Sequence, residues 1–287
     1  MWIGYFGFRR RALSESGVLG AIIIGTTIFG FGGWAWGTLL VVFFVSSSAL
    51  SHFKESLKAS LAEKFSKGHE RDLAQALANG GAGALIALCS VIWPDPILGP
   101  RPILWAAFVG ALATVNADTW ATELGVLSKA KPRLVTNGHP VEVGTSGAIT
   151  LVGTLAALIG STLIAILGAV VAGQWALERA FQFMQRYPLF DPCQPACLIQ
   201  FGFFPVLYAG TVSGLLGSLF DSFLGATVQA MYFCDRCGKE TERYPTHTCG
   251  NRTRQLRGWR WLDNDWVNFL SSVVGAAVAA GLWLWLA

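Results

Sequence analysis

Carboxylates stand at the ends of three apolar stretches, in "NADTWATELG", "GLLGSLFDSFLGATVQ" and "WLDNDWVNFLSS". The first holds Asp118 and Glu123, the second Asp221, and the third Asp263 and Asp265. Ionisable groups at membrane depth are costly, and those that persist usually face a bundle interior or a wet cavity. Each acid alone has an ordinary explanation. It can meet water where a helix leaves lipid, pair with Ser218 or Ser222, or cap a helix start as Asp and Asn do. Recurrence on three separate segments favours one shared site. Oxygen donors of this kind suit Mg²⁺, which is usually held by one or two carboxylates together with substrate phosphates. Asp118, Asp221, Asp263 and Asp265 form the expected magnesium set, and Asp118, Glu123, Asp221 and Asp265 the expected catalytic groups.

Complementary chemistry lies beside the first motif. In "SKAKPRLVTNGHPVEVGTSG", Lys129, Lys131 and Arg133 can neutralise phosphates. Gly144, Thr145, Ser146 and Gly147 are expected to open the next helix, whose N-terminal amides favour an anion. Asn116, Asn264 and Asn268 complete the expected nucleotide-binding set. Carboxylates for a metal, cations for phosphate and a helix start together describe a nucleotide or diphosphate site.

The elements that must position these groups are membrane helices. Of 287 residues, 53% are hydrophobic and 13% charged, where a soluble domain carries about a quarter charged. Mean hydropathy is +0.49. Apolar runs long enough to span a bilayer occur at Val18–Gly33, Trp34–Leu50, Leu77–Trp93, Ile103–Ala117, Thr145–Gly173, Leu198–Phe220 and Trp266–Ala287. The first two abut at a turn over Gly30–Gly33, and the fourth is short enough that its helix must run on into the acidic motif. The expected fold is all-α and polytopic, a single domain over 1–287 with about seven spans. All but Arg101, Arg179 and Arg186 of the 21 basic residues fall on alternate loops. Under the positive-inside rule those loops, and the acidic site with them, are cytoplasmic, in a cytoplasmic (inner) membrane. The net charge of +4 follows from this topology and implies no nucleic-acid partner. Met1–Phe8 is too short to span and reads as a helix stump or an interfacial foot.

Between the last two spans, residues 232–262 carry "CDRCGKETERYPTHTCG". Cys234, Cys237, His247 and Cys249 make a Cys₃His set of the kind that holds structural Zn²⁺; the alternative is an ordinary basic loop. Such a hairpin would join Asp221 to Asp263 and cover the site, with Arg252, Arg254, Arg257, Arg260, Trp259 and Trp261 near headgroups or phosphates. Cys89 reads as a small core residue. Cys193 and Cys197 can form a disulfide in an oxidising compartment or remain thiols.

"NADTWATELGVLSKAKPRLVTNGHPVEVGTSGAITLVGT", "GLLGSLFDSFLGATVQ", "NDWVNFLSS" and the block "GHERDLAQALANGGAGAL" resemble the integral-membrane family typified by phytyl-phosphate kinase and transmembrane protein 19, over most of the chain from about Leu13. That resemblance implies conversion of a prenyl monophosphate to its diphosphate, with CTP or another nucleotide triphosphate as donor. Asp118 with the following basic and Gly-Thr elements is more remotely similar to the CTP-using dolichol kinase and phosphatidate cytidylyltransferase group. The prenyl tail would then lie along the stripe of Gly210, Gly214 and Gly217. Members of the family have a full helix before "RRRALSESG", where this chain has the stump. Two rival activities share these residues: cytidylyl transfer making a CDP-lipid, and cation- or proton-coupled transport. Transport predicts acids near the bilayer midplane and paired interrupted helices.

Overall fold

The computed structural model describes residues 8–9, 12–53, 71–92, 102–186 and 195–286. The expected stump at Met1–Phe8 (Phe8 apart), most of the basic segment before Arg71, and the Cys193–Cys197 pairing lie outside the described residues. Among the described residues, seven helices are long and apolar enough to cross a membrane. They are α1 (Glu15–Thr27), whose span is completed by a π-helical segment to Gly32, α2 (Trp34–His52), α3 (Leu73–Ile92), α4 (Pro102–Gly125), α5 (Leu151–Arg186), α6 (Pro195–Thr227) and α7 (Asn264–Leu286). The layout agrees with the expected polytopic helical fold.

Starts and stops follow local chemistry. Ser14 caps α1, its hydroxyl accepting from the Gly17 amide at 3.1 Å. Asp72 does the same for α3 through the Gln75 amide at 2.9 Å. The expected turn between the first two spans is a π-helical segment, Ile28–Gly32, ended by Gly33 at φ 79°. One expectation fails at α5. Residues 144–147 do not open it, because Gly144 (φ 82°) and Gly147 (φ 80°) adopt left-handed backbone that a helix cannot use. They form a turn leading into β2 (Ala148–Ile149), which pairs antiparallel with β1 (Arg133–Leu134). The helix starts only at Leu151, after Thr150 caps the Gly153 amide at 3.0 Å.

Helix α4 is the axis of the bundle. Every residue from Trp105 to Ala117 is buried, and α4 packs against α2, α3, α5, α6 and α7. Side chains facing outward are apolar, among them Leu19, Val45, Leu85, Ile159 and Leu216, as a lipid-solvated surface requires. Cys89 belongs to this outer set and not to the core: it is exposed, lying one helical turn beyond Leu85 on the face opposite Ala87 and Ser90.

Without a hydrophobic drive between helices in lipid, small residues and hydrogen bonds hold such a bundle together. Gly214 of α6 sits where an added Cβ would fall 2.5 Å from Ser161 Cβ of α5, and Gly210 where it would fall 2.8 Å from Val109 of α4. The glycine stripe is therefore filled by neighbouring helices, and a lipid tail cannot lie in it. Asn116, fully buried, accepts from Ser46 (3.1 Å) and Ser47 (3.3 Å) of α2 and donates to the Gly160 carbonyl of α5 at 2.8 Å. Its amide is spent on helix packing. Asn116→Ala should lower bundle stability by about 1–3 kcal/mol, read as a drop in the unfolding midpoint of the purified protein, because it removes the bonds that tie α4 to α2 and α5 and takes the acceptor from the buried Ser47 hydroxyl.

Between α6 and α7 a small sheet forms, ordered β4–β3–β5, from β3 (Met231–Cys234), β4 (Lys239–Thr241) and β5 (Arg254–Arg257). Both pairings are antiparallel. It docks on the end of α6: Arg257 donates to the Gly225 carbonyl at 2.9 Å, and the Trp259 amide to Val228 at 2.9 Å. Trp259 and Trp261 stack at 5.7 Å and lie exposed beside Trp266, an aromatic group of the kind found at membrane–water interfaces. Arg254 pairs with Asp235 at 3.0 Å, and Arg260 donates to Gln255 at 2.8 Å, so both cations are engaged within the sheet.

Candidate functional site

At the end of the bundle where α4 and α6 finish and α7 begins, a cavity of about 340 Å³ opens, within the range of about 300–1,000 Å³ common for small-molecule sites. α4 supplies Asp118 and Glu123 to its wall, α6 supplies Ser218 and Asp221, and α7 supplies Asn264 and Asn268. The turn before α5 closes another side with Gly144, Thr145, Ser146 and Gly147. Asp118 lies beside Ser218, and Asp221 beside Ser271 of α7, whose hydroxyl donates to the Val267 carbonyl at 2.8 Å. The two carboxylates are close enough to act on each other electrostatically. Asp221 Oδ2 is buried without a hydrogen-bond partner. Buried polar atoms are nearly always partnered, so a carboxyl oxygen left open toward the cavity can serve as a ligand for a bound cation.

The helices place these acids by simple geometry. Gly217 lets α6 approach Thr114 of α4 closely, and Thr114 donates to the Ser213 carbonyl at 3.3 Å. Asp118 and Asp221 each lie four residues beyond that contact, about one turn. One tight crossing thus sets both carboxylates side by side.

Other expected residues stand elsewhere. Asn116, as described, binds helices and does not line the cavity. Lys129, Lys131 and Arg133 are exposed and are not among its wall residues; Arg133 donates to the Gly138 carbonyl of its own loop at 2.8 Å. Asp263 caps α7, accepting from the Trp266 amide at 3.1 Å, and Asp265 sits in that helix's first turn, where carboxylates suit the positive end of the dipole. Neither lines the cavity. The acidic set narrows to Asp118 and Asp221, with Glu123 at the wall.

Several wall residues were not anticipated. Arg71 is, among the described residues, the only Lys or Arg in the cavity wall. Its guanidinium lies 5.6 Å from the ring centres of both Phe43 and Phe44 and donates weakly to Ser48 at 3.4 Å. Its backbone is pinned by a parallel bridge to Leu13. Burial draws Arg71 down to about 10, with Glu123 opposing the shift, so it stays cationic at neutral pH. Glu123 in turn accepts from Ser51 at 2.7 Å. Gln75 and Asn79 of α3, Gln229 after α6, and Glu242 after β4 also face the cavity. Gln75 and Asn79 lie four residues apart on one face of α3, a spacing legible in "LAQALANGG", whereas Arg71 precedes the helix and its Asp72 cap.

In the hairpin, one ligand atom from each of Cys234, Cys237, His247 and Cys249 falls within 4.8 Å of the others. Cys234 Sγ lies 3.6 Å from Cys249 Sγ, and His247 Nδ1 3.4 Å from the same sulfur. Zn–S bonds of about 2.3 Å in a tetrahedron place sulfurs about 3.8 Å apart, so the set is compatible with zinc. Backbone donation from Asn251 and the His247 ring draw the Cys249 thiol down to about 6, whereas hydrogen bonding to Cys249 and Cys234 pushes the Cys237 thiol up to about 11.

The integral membrane protein DUF92 family model matches residues 1–276. Among curated relatives, Protein PGR of Arabidopsis thaliana is 32% identical over 277 residues, covering 94% of this chain and 88% of its own length. An uncharacterized membrane protein of Methanocaldococcus jannaschii is 30% identical, covering 76% of this chain and 75% of its own. Protein VTE6, chloroplastic, of Arabidopsis thaliana is 24% identical over 93% of this chain and 64% of its own length. No solved structure matches. With seven spans in the fold and the family model covering nearly all of it, the chain belongs to the DUF92 family of integral membrane proteins.

Proposed function

We propose that this protein is a membrane-embedded transferase that moves a phosphoryl group from CTP or a related nucleotide to a prenyl or other lipid monophosphate, giving the diphosphate. The observation that carries this reading is the convergence of Asp118 and Asp221, from α4 and α6, on one cavity that also holds Arg71. The resemblance of the acidic and Gly-Thr motifs to the phytyl-phosphate kinase family supports the reaction class, as does the likeness to VTE6.

Mg²⁺ fits the acidic pair, because Asp221 Oδ2 is a buried oxygen with no other partner; when bound it would offset phosphate charge between donor and acceptor. The chain's own groups do the rest. The close approach of α6 to α4 at Gly217 and Thr114 holds Asp118 and Asp221 in place. Arg71 draws a phosphate into the cavity and keeps it against the acids, its position fixed by Phe43, Phe44 and the Leu13 bridge. Asn264 and Asn268 offer amide donors, and the turn around Gly144 lets backbone come close to a ligand. Phosphoryl transfer needs mainly positioning and charge neutralisation, and the acceptor phosphate is already anionic, so no general base is required. The lipid tail leaves the cavity between helices, away from the filled glycine stripe. The wall lies at one end of the bundle, on the side of the basic loops, which favours a site facing the cytoplasm. That placement also speaks against transport through midplane acids.

Incubating the purified protein with a prenyl monophosphate and CTP labelled at the α or the γ phosphate tests the reading. Label from the γ position in lipid is the expected result. Label from the α position would make the protein a cytidylyltransferase, and no lipid label from either would end the transferase proposal. Within the same assay, Arg71→Gln should raise KM for a phosphate substrate about tenfold to a hundredfold, the worth of a charge-assisted hydrogen bond. Lys129→Gln, outside the cavity, should leave KM unchanged.

A further inference from the structure

The Cys₃His cluster and the cavity are joined by one short peptide. Cys234 ends β3, Cys237 lies in the β3–β4 turn, and His247 and Cys249 follow β4. Glu242 stands between the two halves of the cluster, directly after β4. A metal bound there would clamp both ends of the segment that carries Glu242. The side chain of Glu242 faces the other way and lines the cavity. It accepts from Gln229 Nε2 at 2.9 Å, and Gln229 Oε1 accepts from Ser146 Oγ at 2.8 Å. Gln229 is 2% exposed, so this relay runs through the interior and ties the sheet to the Gly144–Gly147 turn. Glu242 also lies near enough to Asp221 to act on it electrostatically.

The sheet is small enough for a clamp to matter. Its strands span four, three and four residues, so its stability comes from docking on α6 and from the cluster more than from the ladder itself. In small folds a structural metal supplies the missing stability, and its binding free energy is then folding free energy. Cys234 is fully buried and His247 is 4% exposed, while Cys237 and Cys249 lie nearer the surface, so the cluster is anchored from the interior with its ligand atoms at zinc spacing.

We propose that the Cys₃His cluster binds a structural Zn²⁺ that holds Glu242 in place as the fourth carboxylate of the cavity, making the hairpin a metal-locked wall of the site. The part of Glu242 in transfer rests on the function proposed above, whereas metal binding and its coupling to the cavity stand without it. Three measurements on the full chain in detergent test it. Elemental analysis should find one zinc per chain in the native protein and none in Cys237→Ser/Cys249→Ser. Hydrogen exchange should quicken about tenfold or more, both in 231–241 and in the Gly144–Ala148 turn, when zinc is lost. Stripping zinc from the native protein with a chelator gives the same reading if the double variant does not fold. Glu242→Gln keeps an oxygen that accepts from Gln229, so it should retain zinc and protection while transfer falls about 10²-fold.

A protein isolated without zinc and equally protected overturns the proposal. So does quickened exchange confined to the hairpin, with the turn unchanged. Unaltered transfer in Glu242→Gln, where the native protein transfers, removes Glu242 from the reaction. No transfer by the native protein counts against the function above, and hydrogen exchange alone then decides the coupling.

Discussion

Asp118→Asn and Asp221→Asn should each lower phosphoryl transfer by about 10³-fold or more, while the protein still inserts, purifies and unfolds at its native midpoint or above. Asn has the shape of Asp and keeps a side-chain oxygen beside Ser218 or Ser271, so packing is not disturbed. What disappears is one of two carboxyl groups packed together in the interior of the bundle. Crowding two ionisable groups there costs stability, and a fold tolerates that arrangement at a functional site because a ligand relieves it. Replacing one of them should therefore leave stability equal or improved while activity collapses, the opposition expected where a site trades stability for function. Radiolabel transfer and detergent unfolding measured on the same preparations decide the matter. If both variants keep full activity, the acidic pair is not the reaction centre. If they lose activity together with folding, the acids are structural. Glu123→Gln should be milder, since Glu123 already meets Ser51 and Arg71 at the edge of the cavity.

The spans, and the extension of α4 through its acidic motif, were legible because a bilayer demands long apolar runs. Pairing Asp118 with Asp221 was legible because each acid interrupts such a run at the same end. What misled was loop chemistry. Lys129, Lys131 and Arg133 have the charge a phosphate wants, but charge along a sequence carries no direction, and the β1–β2 pairing turns that loop outward. The cation that does face the cavity, Arg71, lies in an unremarkable polar stretch and is identified only by where Leu13 and the Phe43–Phe44 rings hold it. Asp263 shows the opposite ambiguity. A metal ligand and a helix cap call for the same side chain, and only the 3.1 Å bond to the Trp266 amide separates them. Glu242 could not be found from composition, since its entry into the cavity depends on how a small sheet docks against α6.

Gly214→Val should abolish the assembled bundle, costing roughly 3 kcal/mol or more, whereas Gly281→Val should be neutral. Both are glycines within apolar spans, so propensity and hydropathy do not distinguish them. Their surroundings do. A side chain at Gly214 meets Ser161 Cβ at 2.5 Å and Ala113 Cβ at 2.9 Å, on two different helices; nothing lies within 4 Å of the same position at Gly281. Backbone and Cβ atoms cannot swing aside as a long side chain can, so α6 must move away from both α4 and α5. Titration with a denaturing detergent should show Gly214→Val unfolding far earlier than the native protein, and Gly281→Val alongside it. The same wedge reaches the site. Asp221 lies seven residues from Gly214, two turns along the same face of α6, and Asp118 is carried by the helix from which α6 is pushed. Even the fraction that remains folded should then fail to hold the two carboxylates together, so transfer should fall further than the folded fraction does. Loss of activity only in proportion to folded protein would mean that the approach of α6 to α4 stabilises the bundle without setting the distance between its acids.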